Sequence, residues 1–152
     1  MKIVPVTGKL PATRAAVDRF LAAPRLMRLG VTEPDGTPLV HPVWYTWEQD
    51  QFLLHIGPTS SKRTAIDAQP TVYFTIDDTG PGIFGVRGKA MATIDSDPDR
   101  LREVMQAQCD RYTGVGDNET RRFLMGMVEA GDLVLAVLTP RYLATWGLET
   151  RG

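Results

Sequence analysis

Apolar positions along the chain repeat with two spacings, and each change of spacing marks a new element. Val17, Phe20 and Leu21 sit at i, i+3 and i+4, which predicts a short amphipathic helix from Thr13 to Ala23, stopped by Pro24. Arg25 to Thr32 is predicted as a strand closed by the Pro34-Asp35-Gly36 turn. Leu39 to Trp47 is β-branched and aromatic and predicts another strand; the polar turn Glu48 to Gln51 leads to a return strand, Phe52 to Ile56. Gly57-Pro58 breaks that strand, and Ser60 to Ala68 predicts a short helix ended by Pro70.

Thr71 to Ile76 is again a predicted strand. After an Asp- and Gly-rich loop, Ile83 to Ile94 alternates Phe84, Val86, Gly88, Ala90, Ala92 and Ile94 on one face. Asp97-Pro98 predicts a helix start, with Asp as the N-cap and Pro in the first turn. Leu101, Val104, Met105 and Gln108 then share a face. A further helix is predicted from about Asn118 to Ala130, closed by Gly131. Leu133 to Leu138 is an almost wholly apolar strand, and Pro140 is expected to turn the chain into a last strand carrying Tyr142, Ala144 and Trp146.

Turns of hairpin length between strands imply antiparallel pairing. Six to seven such strands with flanking helices predict one α+β domain over the 152 residues, built as a small closed or split barrel. Hydrophobic content of 43% and charged content of 23% fit a globular protein. A net charge of -1 argues against nucleic acid as the main partner. A lone Cys109 excludes an intrachain disulfide framework and points to the cytoplasm. The apolar run after Met1 is interrupted by Pro5, Gly8 and Lys9, so neither a signal peptide nor a membrane span is expected.

The chemistry concentrates in two places. Pro42-Val43-Trp44-Tyr45 is a strand with an odd backbone, because Pro42 has no N–H for a sheet ladder and so marks an edge or a bulge. Free backbone groups there can meet a flat heterocycle. Strand alternation sends Trp44 to the face opposite Tyr45 and Trp47, so the aromatics cannot all line one pocket. Ser60, Ser61, Lys62 and Arg63 then bring hydroxyls and positive charge to a helix N-terminus, where free amides and the helix dipole favour an anion. Charge of that sign disfavours the bare helix end by roughly 0.3–1 kcal/mol, and a bound anion reverses this. A ring platform beside a phosphate cradle suggests a flavin-like nucleotide.

Other signals are weaker. Gly80-Pro81-Gly82-Ile83-Phe84-Gly85 spells GxGxxG, but a strand follows it where a dinucleotide fold needs a helix. The Thr59 to Thr64 loop lacks the Gly of a Walker motif. His41 and His55 lie on neighbouring strands; either could ligate a metal or haem, and either could be structural. Cys109 sits on an apolar stripe with Met105, the setting of an inert thiol.

The run from Val31 to Ile94 resembles the pyridoxamine 5'-phosphate oxidase-like, FMN-binding split-barrel superfamily. The likeness is carried in order by Pro34-Asp35-Gly36-Thr37-Pro38, Pro42-Val43-Trp44-Tyr45, Ser60-Ser61-Lys62 with Ile66 and Gln69-Pro70, and Val86-Arg87-Gly88-Lys89-Ala90. The helix end Phe20 to Arg25 is similar to the deazaflavin-using branch. The resemblance implies that Pro42, Val43, Trp44 and Tyr45 run along the ring and ribityl chain, with His55 nearby. It also carries the family's phosphate-loop serine and lysine over to Ser60 and Lys62, while Ser61 and Arg63 join them as phosphate candidates through the loop's own hydroxyl and charge. The implied cofactor is FMN, with the deazaflavin coenzyme F-420 as the alternative and haem behind both. The strand arginine, strand lysine, loop arginine and glutamine of true pyridoxamine-phosphate oxidases fall on Val40, Tyr45, Ser61 and Ile83, so that reaction is not expected.

The expected function is a flavin-dependent oxidoreductase of a small conjugated substrate. A flavin or haem carrier and a degenerate interaction module are the alternatives. No catalytic side chain is named, since the flavin carries the chemistry. A homodimer is expected, with the cofactor between subunits and Trp146 and Arg87 as candidate partner contacts. Its physical ground is the apolar Leu133 to Leu138 run, read as needing cover on both faces, and the Phe123, Leu124 and Met127 stripe.

Overall fold

The Thr13 hydroxyl accepts the Ala16 amide and starts the first helix, α1 (Arg14–Ala22), which lays Val17, Phe20 and Leu21 on the core. The computed structural model describes residues 1–150, and it is α+β. The order is β1 (Lys2–Pro5), α1, β2 (Met27–Thr32), β3 (Pro38–Val43), β4 (Thr46–Glu48), β5 (Gln51–Ile56), α2 (Ser61–Ala68), β6 (Thr71–Asp78), β7 (Phe84–Asp95), α3 (Pro98–Thr113), α4 (Glu119–Ala130) and β8 (Val134–Trp146).

Seven strands form a curled antiparallel half-barrel in the order β3-β2-β6-β7-β8-β5-β4. The long pair β7 and β8 is its spine, and β1 adds in parallel beside the far end of β8, Lys2 opposite Tyr142. The concave side holds the main core: Phe20 and Leu21 from α1, Ile66 from α2, Leu29, Phe52, Phe74 and Leu138 from the strands, and Tyr45 from the break between β3 and β4. On the other side of β5 and β8, α3 and α4 close a second cluster of Leu53, Leu101, Val104, Met105, Val128, Leu135 and Val137. No helix among the described residues is long and apolar enough to cross a membrane.

Three expectations are corrected. The predicted strand Leu39 to Trp47 is two strands, broken at Trp44 and Tyr45. Pro140 does not end a strand: β8 runs through it, and a bulge absorbs the fault, with Lys89 opposite Tyr142, Ala90 opposite Pro140, and Arg141 skipped. The Leu133 to Leu138 run needs no second subunit, because Ala136 and Leu138 face the half-barrel interior while Leu133, Leu135 and Val137 lie under α3 and α4. β1 was not expected; with four residues and no periodicity, only its pairing with β8 defines it.

Apolar surface stays uncovered in two other places: at Phe123 of α4, 66% exposed as the stripe reading expected, and on one face of the sheet. The outer face of β3, β2 and β6 carries Val40 and Tyr73, 64% and 51% exposed. A shallow hollow of about 490 Å³ on this face is bordered by Arg28, Val40, Tyr73, Arg87 and Tyr142.

Candidate functional site

The break between β3 and β4 is built from a distance. Tyr45 has left the ladder, and its backbone needs new partners. Its N–H donates to the Tyr112 Oη at 3.2 Å, and its carbonyl accepts from Arg111 Nη1 at 3.0 Å. Arg111 also donates to the carbonyls of Leu21 and Ala23, and the Tyr112 hydroxyl donates to the Arg25 carbonyl at 2.7 Å. The last turn of α3 therefore clasps the break and the end of α1 together. Tyr45 turns into the core, edge-on to Phe52, and burial pushes its hydroxyl up to about 12. Trp44 turns the other way and stacks on Tyr112, the rings 4.7 Å apart and 3° from parallel.

Facing Trp44 is the end of β5. The His55 ring meets Trp44 edge-on at 6.0 Å, and its Nδ1 lies 3.3 Å from Gln108 Oε1 of α3. Burial keeps His55 less basic than an ordinary histidine; the Gln108 bond opposes this, and the nearby Lys62 adds to it. After Gly57 the chain enters α2. The Ser60 hydroxyl donates to the Gly57 carbonyl at 2.8 Å and accepts the Arg63 amide at 3.2 Å. The Thr64 amide goes to the Ser60 carbonyl, which leaves the Ser61 and Lys62 amides without a partner in the helix.

These pieces surround one cleft of about 390 Å³. It is lined by His41, Pro42, Val43 and Trp44, by His55 to Gly57, by Lys62 of α2, and by Thr120, Phe123 and Leu124 of α4 with Leu133. Lys62 is half-buried and makes no ion pair among the described residues, and desolvation makes its ammonium easier to deprotonate. Its neighbour Arg63 is committed to Asp67, at 3.0 Å.

Of the residues singled out from sequence, Pro42, Val43, Trp44, His55 and Lys62 meet in the cleft. Tyr45 does not border it. Ser60 is occupied by the helix cap, Ser61 is exposed, and Arg63 turns along α2. Sequence reasoning missed the α4 wall and the supports Gln108, Arg111 and Tyr112. The one available signal was Gln108, a polar residue on an otherwise apolar helical stripe.

The residues around this cleft fall inside a recognised family. The chain belongs to the pyridoxamine 5'-phosphate oxidase family, whose model matches residues 13–147. No curated protein matches the sequence. Among solved structures, a conserved hypothetical protein of Mycobacterium tuberculosis superposes with a TM-score of 0.79 at 24% identity, over 92% of this chain and 88% of that one. An F420 reductase superposes with a TM-score of 0.66 at 22% identity, over 84% of this chain and 94% of that one. The haem storage protein of Vibrio cholerae does so with a TM-score of 0.66 at 16% identity, over 91% and 94%. At these identities the likeness speaks for the shared fold.

Proposed function

We propose that the cleft between β3, β5, α2 and α4 holds a flavin-type cofactor, and that the protein is an oxidoreductase acting on a small conjugated substrate. The observation that carries this is Lys62: a half-buried cation without an ion-pair partner among the described residues, beside two amides with no partner in the helix, in a cleft also lined by Trp44 and Phe123. A desolvated, unpaired charge is unfavourable on its own. A phosphate in its place would be held by charge-assisted hydrogen bonds.

FMN fits better than coenzyme F-420. With Arg63 bound to Asp67, Lys62 is the one cation among the described residues lining the cleft, which matches one terminal phosphate, whereas the longer acidic tail of the deazaflavin asks for more. The family match and the F420 reductase neighbour support a redox cofactor of this shape. Once bound, the flavin supplies hydride transfer. The chain's own residues bind and shield it: Trp44 forms a flat wall, Lys62 and the α2 amides take the anion, and Phe123 and Leu124 keep water from one side.

The working unit is proposed to be a homodimer. β3 borders the cleft through His41 and Pro42 and the bare outer face through Val40. A second copy seated on that face would cover Val40 and Tyr73 and reach the edge of the cleft, with Arg87 and Trp146 among the residues it would meet. Haem is the second reading, favoured by the His55 ring in the cleft lining and by the haem-storing neighbour.

Titration of the purified protein with FMN, F-420 and haemin, followed by anaerobic turnover with a reduced nicotinamide, tests the reading. FMN binding in the micromolar range or tighter, with turnover, is expected. Failure to bind either flavin while haemin binds would replace it.

A further inference from the structure

His55, half-buried, and Gln108, fully buried, are a polar pair whose hydrogen bonds can be assigned from their partners. The amide end of Gln108 lies 3.1 Å from the Leu53 carbonyl and 3.0 Å from Thr46 Oγ1. A carbonyl can only accept, so the group facing it is the NH2, and both its hydrogens are used. The Gln108 carbonyl oxygen then faces His55 Nδ1 at 3.3 Å and can only accept. Nδ1 must therefore carry the hydrogen. In a neutral imidazole this leaves Nε2 bare, and no group among the described residues bonds to it. The ring meets Trp44 edge-on, feels the charge of Lys62, and lines the cleft with both.

We infer that Gln108 locks His55 as its Nδ1–H tautomer, so that the Nε2 lone pair accepts a hydrogen bond from a hydroxyl of the cofactor's polyol chain. This rests on the flavin reading of the cleft. With a ring against Trp44 and a phosphate on Lys62, the group that passes His55 is the hydroxylated chain that joins them. Gln108 does not touch the ligand; it is a positioning residue. Lys62 is the charged group whose field reaches His55, and it favours the neutral ring that the lone pair requires.

Two measurements test this. Long-range proton–nitrogen NMR of the ligand-free protein at neutral pH reads the tautomer directly, with His55→Phe identifying the signal beside that of His41. The Nδ1–H pattern is expected; an Nε2–H or imidazolium pattern overturns the inference. Gln108→Met should release the ring to a mixture of tautomers. The second measurement is a binding cycle with FMN and with analogues lacking one ribityl hydroxyl at a time. Removing the right hydroxyl should weaken binding to the wild type by about tenfold, and His55→Phe should weaken FMN binding by a similar factor. The two losses should not add. Additive losses for every hydroxyl would refute the contact. If FMN does not bind at all, the flavin reading fails and the contact falls with it, while the tautomer is still judged by the spectrum. If Gln108→Met does not fold, the wild-type spectrum and the His55→Phe cycle remain decisive.

Discussion

Replacing Lys62 by Met should weaken a phosphorylated ligand and leave the fold as stable as before, or more so. Lys62 lies in the first turn of α2, half-buried in the lining of the cleft, with no ion-pair partner among the described residues and with its charge disfavoured by desolvation. Its charge also opposes the helix dipole there by roughly 0.3–1 kcal/mol. Methionine keeps the aliphatic stem and removes both penalties. For a bound phosphate the change removes one charge-assisted hydrogen bond, a loss on the order of 1.5–3 kcal/mol, or roughly ten- to more than a hundredfold in Kd. Riboflavin carries the same ring and polyol without the phosphate and should lose less than about threefold. The assay is a pair of fluorescence titrations, FMN and riboflavin, into wild type and variant, beside a chemical denaturation curve for each. Equal losses for the two ligands would mean that Lys62 shapes the loop without meeting the phosphate. A marked fall in stability would mean that its charge has a partner and that the desolvation argument is wrong.

Other outcomes follow from the same geometry. Gly147 holds φ at 69°, and a Cβ there would strike the Ile83 carbonyl oxygen and lie 2.9 Å from Phe84 Cα, so Gly147→Ala should cost more than about 2 kcal/mol in urea unfolding. Tyr112→Phe keeps the stack on Trp44 but removes the bond to the Arg25 carbonyl and the acceptor for the Tyr45 amide. It should cost roughly 1–3 kcal/mol and loosen the cleft wall, read as lower stability and weaker FMN binding together. His55 is less basic in the fold than in the unfolded chain, so the unfolded state binds more protons just below about pH 6.5. Stability should therefore fall as pH drops through that window. His55→Phe should lack that increment in denaturation curves taken between about pH 7 and 5.

Local rules made much of this structure legible. The Thr13, Ser60, Asp97 and Asn118 caps and the left-handed Gly131 appear where side-chain chemistry places them. Alternation foretold that Trp44 and Tyr45 part company, because it depends only on neighbouring residues. The break between them was hidden because its cause is long-range: Arg111 and Tyr112, more than sixty positions away, replace the lost ladder bonds. The α4 wall was hidden for the same reason, since a stripe of Phe123, Leu124 and Met127 looks alike whether it covers a core or a cleft. The misreading of Leu133 to Leu138 came from counting apolar faces without knowing that α3 and α4 return to cover one of them.

The central claim is that this one cleft takes the ring and the phosphate together. A crystal structure of the protein grown with FMN tests it most directly. The account predicts the isoalloxazine against Trp44, the phosphate on Lys62 and the free amides of α2, and a second copy of the chain on the outer face of β3, β2 and β6. An FMN seated in the hollow beside Tyr73 and Arg87, or a cleft left empty under saturating FMN, would contradict it.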